Sequence, residues 1–130
     1  MSPDDRKYTK EHEWVKPESA RALQALVGIT HYAQDQLGDI VYFALPKPGA
    51  ALKQLQKMGE VESVKAVSDL FSPVTGQVVE SNPALTSHPE LANQDPFETG
   101  WLLRVTVADA AELQKLMSAA EYDAFVGGLK

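Results

Sequence analysis

Apolar and polar residues alternate with period two along most of the chain, and that alternation predicts a protein built mainly of strands. Leu23, Ala25, Val27 and Ile29 alternate as on a half-buried strand. Residues 40–45 are β-rich and close on Pro46-Lys47-Pro48-Gly49, a turn cluster. Residues 61–64 and 66–71 predict two strands on either side of Lys65, and residues 77–81 and 101–107 predict two more. His12 to Val15 fits a short strand with Trp14 turned inward. One helix interrupts the series: Thr30 is placed to cap it, residues 32–37 form about two turns, and Gly38 ends it.

Pro73 ends the strand after Lys65, because it has no N–H to give a ladder. Asn82-Pro83 opens a loop that carries Pro89 and Pro96. Residues 50–57 fit a helical face or an irregular strand through Leu52 and Leu55. The tail reads as helix. Asp109 and Glu112 are spaced like a capping box, and Leu113, Leu116, Met117 and Ala120 make one apolar stripe. Ser118 and Glu121 start a second short helix with Tyr122, Phe125 and Val126, stopped by Gly127-Gly128. The expectation is one domain over 1–130, with a β core over about 8–107 and C-terminal helices over 109–127.

The bulk numbers narrow the function classes. A net charge of −6 gives no basic footprint for nucleic acid and disfavours an anionic membrane surface. The chain has no cysteine, which removes disulfides, thiolate metal sites and a cysteine nucleophile. No apolar run approaches the length of a membrane span, and the N-terminus has neither a signal h-region nor a transit-peptide composition. A cytoplasmic protein is expected, or a mitochondrial-matrix one if the chain is trimmed. His12, His31 and His88 are dispersed and form no metal-ligand pair. A Gly-rich phosphate loop and a Gly-x-Ser-x-Gly elbow are both missing from the sequence, so a small independent hydrolase has no visible constellation.

Candidate chemistry centres on Lys65. It stands in Gly59-Glu60-Val61-Glu62-Ser63-Val64-Lys65-Ala66-Val67-Ser68-Asp69-Leu70, followed by Ser72-Pro73-Val74-Thr75-Gly76. A lysine amine with a pKa of about 10.4 is charged at neutral pH, so its acylation needs an enzyme that supplies a base or desolvation. A rigid turn spares that enzyme the entropy of ordering a loose side chain. Once acylated, the lysine becomes a tether that raises the local concentration of its cargo at a docked active site. Spacing alone leaves a plain surface lysine in a hairpin turn as the other reading.

Glu62-Ser63-Val64-Lys65-Ala66 with Ser68-Asp69 and Ser72-Pro73-x-x-Gly76 resembles the lipoyl-lysine motif of glycine cleavage system H proteins. Tyr8-Thr9-Lys10-Glu11-His12-Glu13-Trp14-Val15 resembles that family's first strand. The segment from Val27-Gly28-Ile29-Thr30 through Leu37-Gly38-Asp39-Ile40-Val41 resembles its helix-and-strand signature, and Asn93-Gln94-Asp95-Pro96-Phe97 and Gly100-Trp101-Leu102 its late loop. Gln36 stands where some members carry histidine, and residues 51–57 lack the usual glycine turn.

The resemblance implies a barrel-sandwich hybrid, a two-sheet sandwich of lipoyl type with a C-terminal helical tail. It implies lipoate bound covalently to Lys65, with Glu62, Ser63, Val64 and Ala66 forming the tip motif. Glu13 and Asp69 match acidic positions near the arm, and Leu37 matches an apolar wall of its cleft. The implied role is a carrier that catalyses nothing itself and is expected to be a monomer. Its partners would be a pyridoxal-phosphate glycine decarboxylase, a tetrahydrofolate-dependent aminomethyltransferase, dihydrolipoamide dehydrogenase, and a lipoate ligase or lipoyl transferase. A relay that hands lipoyl groups to 2-oxoacid dehydrogenases fits the same residues and stays open here.

Overall fold

The structure, a computed structural model, describes residues 2–18 and 24–129. The expected position of Leu23 therefore lies outside the described residues. The strands are β1 (Lys7–Tyr8), β2 (Glu13–Pro17), β3 (Gln24–Ile29), β4 (Ile40–Ala44), β5 (Ala51–Leu52), β6 (Lys57–Ser63), β7 (Val67–Phe71), β8 (Gly76–Ser81) and β9 (Leu103–Val107). They form two antiparallel sheets: a six-stranded one in the order β1-β2-β3-β9-β8-β5, and a three-stranded one in the order β4-β6-β7. Val15, Val27, Val78 and Val105 from the larger sheet meet Phe43, Val61 and Leu70 from the smaller one in a single core. The two-sheet sandwich is the one the resemblance implied, and the period-two pattern follows from each sheet burying one face.

A smaller cluster of Tyr8, Trp14, Ala119 and Tyr122 seals one end. Trp14 pairs with Gly28 across β2 and β3. A side-chain carbon at Gly28 would fall 2.4 Å from the indole, so only glycine lets the ring lie flat on the neighbouring strand. The Trp14 Nε1–H donates to the Ile29 carbonyl at 2.9 Å and to the Pro96 carbonyl at 3.1 Å.

Helix α1 (His31–Leu37) starts at Thr30, whose hydroxyl accepts from the Ala33 N–H. It stops at Gly38, where φ is +75°. The expected bare loop after Asn82 instead holds two single turns, α2 (Ala84–Ser87) and α3 (Leu91–Gln94). Such short turns leave no periodic trace in sequence. They place Asn93 against the α1–β4 corner, where its amide donates to the Gly38 carbonyl at 2.8 Å and its Oδ1 accepts from the Ile40 N–H at 2.9 Å.

The tail departs from the sequence expectation at its first helix. Residues Ala110–Lys115 form a 3₁₀ helix capped by Asp109. Glu112 does not close a capping box: its carboxylate accepts from the Thr75 N–H and hydroxyl, both at 2.7 Å. The chain then extends so that Met117 bridges Tyr8. The stripe is thereby split. Leu113 and Leu116 lie on the main core, Met117 on the second cluster, and Ala120 is exposed. A 3₁₀ turn seldom runs beyond a few residues, which is why the stripe breaks there. Helix α4 (Ala119–Gly127) carries the full capping box of Ser118 and Glu121. Residues 50–57 resolve into β5 and a turn in which Leu55 has φ of +67° and an exposed side chain.

Candidate functional site

Strands β6 and β7 form an antiparallel finger whose last pair is Glu62 and Val67. Val64, Lys65 and Ala66 make its tip. Ser63 fastens that tip: its buried hydroxyl oxygen accepts from the N–H of Lys65 at 3.2 Å and of Ala66 at 3.3 Å. The Ser63 N–H donates to the Ala66 carbonyl at 2.9 Å, and the Val64 N–H donates to the Asp39 carbonyl at 3.0 Å. The resemblance placed Ser63 in the tip motif; the structure makes it the clasp of the turn.

Lys65 is exposed. Among the described residues no carboxylate pairs with it. Its stem lies over the end of α1, where a side-chain carbon at Gly38 would sit 3.3 Å from Cε. The sequence marked Gly38 only as a helix stop. Its second role, leaving room for the lysine, has no local signal. Leu37, one residue earlier, is half-buried against the core.

The other two expected cleft residues lie toward the base of the finger. Asp69, on β7, pairs with Lys57 at 3.2 Å, and Lys57 also pairs with Glu60 at 2.7 Å. Glu13 is buried. Its carboxylate accepts from the Thr9 hydroxyl at 2.8 Å and from the Phe71 N–H at 3.1 Å. Burial pushes the Glu13 carboxyl up to about 8, against the pull of those two hydrogen bonds. A groove of about 420 Å³ opens beside its partners Thr9 and Phe71, with Leu55, Leu116 and Met117 as apolar walls. Phe71 is the last residue of β7, so at about 3.3 Å per strand residue Glu13 lies on the order of 15–20 Å from the tip. A bare lysine does not span that gap; a lengthened one approaches it.

His12, next in sequence to Glu13, has φ of +68° and packs its ring against Tyr32, Tyr122 and Phe125. Its Nδ1 lies 2.8 Å from the Tyr122 hydroxyl, which lies 2.7 Å from the Thr30 hydroxyl. That chain of contacts ties α4 to the start of α1. Burial lowers the His12 pKa.

An exposed lysine at the tip of a clasped finger, set on a two-sheet sandwich, is the arrangement that a carrier of a covalently tethered group needs. A family model described as glycine cleavage H-protein matches residues 6–128. The chain is 54% identical over 123 residues to a glycine cleavage system H protein from Symbiobacterium thermophilum, covering 95% of this chain and 94% of that one. It is 48% identical over 121 residues to the Bacillus subtilis protein of that name, covering 93% of each. The crystal structure of a glycine cleavage system H protein from Mycobacterium marinum superposes with a TM-score of 0.88 at 39% identity, covering 97% of this chain and 99% of that one.

The chain belongs to the glycine cleavage H-protein family. It is a non-catalytic lipoyl carrier of the glycine cleavage system, whose members bear lipoate covalently on a lysine.

Proposed function

We propose that Lys65 is the lysine that carries lipoate. The carrying observation is its place at the tip of the finger, exposed and held by backbone bonds that Ser63 organises. The residues fit the group. The amine is free of ion pairs among the described residues, its flanks Val64 and Ala66 are exposed, and Gly38 leaves space beside the stem. Lys57, by contrast, is held between Glu60 and Asp69. On attachment by a lipoate ligase or lipoyl transferase, the acyl carbon bonds to Nζ, the activating group leaves, and Nζ gives up its proton. Exposed Glu62, Val64 and Ala66 form the surface that this enzyme meets, and buried Ser63 holds it in shape.

The bound group supplies disulfide chemistry: reductive uptake of the aminomethyl group from glycine at a pyridoxal-phosphate decarboxylase, release of that group to an aminomethyltransferase, and reoxidation by dihydrolipoamide dehydrogenase. The protein's own residues aim and shelter it. Ser63 fixes the direction in which the stem leaves the finger. Leu37 and Gly38 form the wall along which the stem lies. Glu13 waits at the far end of the cleft in its protonated form at neutral pH. A cation brought against it favours the carboxylate, so the amine takes the place of the proton. Asp69 offers a second carboxylate, shared with Lys57. The protein acts as a monomer, and its bacterial relatives favour the cytoplasm over the mitochondrial matrix as its setting.

Lys65→Ala tests this assignment. Incubated with a lipoate ligase and its substrates, the wild type gains one lipoyl mass increment by intact mass spectrometry and the variant gains none. Peptide mapping leaves Lys53 and Lys57 unmodified. A lipoyl increment that persists in Lys65→Ala overturns the assignment.

A further inference from the structure

The outer face of the small sheet is more apolar than a solvent face needs to be. Val41 is 47% exposed, Tyr42 59%, Val64 67% and Val67 59%. Tyr42, Glu62 and Val67 lie in register across β4, β6 and β7, a row about 10 Å wide at the usual strand spacing. The opposite face of these strands is occupied by Phe43 and Val61, both buried.

A β-bulge makes this patch. Between Ile40 and Tyr42 the register slips, so two residues of β4 stand against one of β6. The slip leaves both Val41 and Tyr42 outward, where strict alternation would expose only one. It occurs at the end of β4 nearest the tip, one residue beyond Asp39, whose carbonyl holds Val64. Bulges are sited where a side chain must be re-aimed.

We infer that this face is the docking surface for the enzyme that acylates Lys65. The inference rests on the assignment of Lys65 above. Reach selects that enzyme. A bare lysine amine ends one four-carbon stem from the backbone, so the acylating centre has to close over the tip and lie on its flanks. Enzymes that act on the loaded arm meet a longer tether and are less tightly constrained. Charge adds the second half of the recognition. Glu62 stands in the middle of the row and Asp39 at the end of β4 nearest the tip, and neither has an ion-pair partner among the described residues. The complementary surface is apolar opposite Tyr42 and Val67 and sets a lysine or arginine against Glu62 between them.

The test compares acylation rates of the full-length chain with a lipoate ligase. The double variant Tyr42→Thr, Val67→Thr keeps β-favouring residues at two exposed positions, and circular dichroism and thermal melting check its fold. Its kcat/KM for lipoylation falls by about tenfold or more, as for loss of apolar anchors at an interface. Val79→Thr, an exposed apolar position on the larger sheet, leaves kcat/KM unchanged. Added salt raises the wild-type KM, because the exposed carboxylates of Glu62 and Asp39 are screened. If the wild type is acylated at Lys65 and the double variant is acylated equally fast, the docking surface is wrong and the Lys65 assignment stands. If the wild type takes no lipoyl group at Lys65, that assignment fails and the docking surface with it.

Discussion

Replacing Glu13 with glutamine tests the electrostatics of the cleft. Glu13 is 2% exposed. Burial raises its carboxyl from 4.5 to about 8 in the folded protein. Between those values the folded protein keeps a proton that the unfolded chain has lost. Glu13 therefore favours folding fully below pH 4.5, and that advantage is lost as pH rises through about 8. At about 1.4 kcal/mol per pH unit, the change across the window is on the order of 5 kcal/mol. Glutamine has the shape of the protonated acid. Like the acid, it keeps one carbonyl oxygen as acceptor and turns one donor group toward the other of its two partners, Thr9 and Phe71. The assay is urea denaturation of both proteins at several values between pH 4.5 and pH 8. The two should be about equally stable at the acid end, and Glu13→Gln should be the more stable by several kcal/mol at the alkaline end. His12 works in the opposite direction, since burial lowers its pKa and its cost falls as pH rises. It is present in both proteins and cancels in the difference. Parallel pH curves for the two proteins would refute the reasoning, as would a carbon-13 NMR titration that places the Glu13 carboxyl near 4.5.

Gly38→Ala combines a backbone and a steric effect. With φ of +75° and ψ of −155°, an alanine there costs about 1–3 kcal/mol, and its Cβ presses on the Lys65 stem at 3.3 Å. A lower melting temperature and slower lipoylation together are the expected result; an unchanged rate would show that the stem moves aside freely. Glu112→Ala strands two donors of Thr75 and should cost about 1–3 kcal/mol in urea denaturation. A loss within error would mean that water replaces the carboxylate.

The strands around Lys65, the cap at Thr30, the stop at Gly38 and the capping box at Ser118 were all readable from sequence, because each rests on near neighbours in the chain. The period-two runs gave the faces as well as the strands. What stayed hidden depends on distant residues. The resemblance placed Glu13 near the arm, but nothing beside it in sequence announces that Phe71 and Thr9 will enclose it. Glu112 read as a capping partner because its true partner, Thr75, is far away in sequence. Asn93 sat in what read as a loop, yet it holds the corner that sets α1 against β4. The bulge at Val41 is invisible too, since an apolar pair in a β run reads equally well as ordinary core.

The clasp at Ser63 has a mechanical consequence. With the amides of Lys65 and Ala66 both spoken for, the peptide at the fingertip has little freedom to swivel. Rotation is left to the bonds beyond the α-carbon, so the appendage sweeps like a crane's jib from a fixed mast. Visiting enzymes find the same pivot at every call, and the radius they must fall within is decided by the length of the jib, not by any give in the mast.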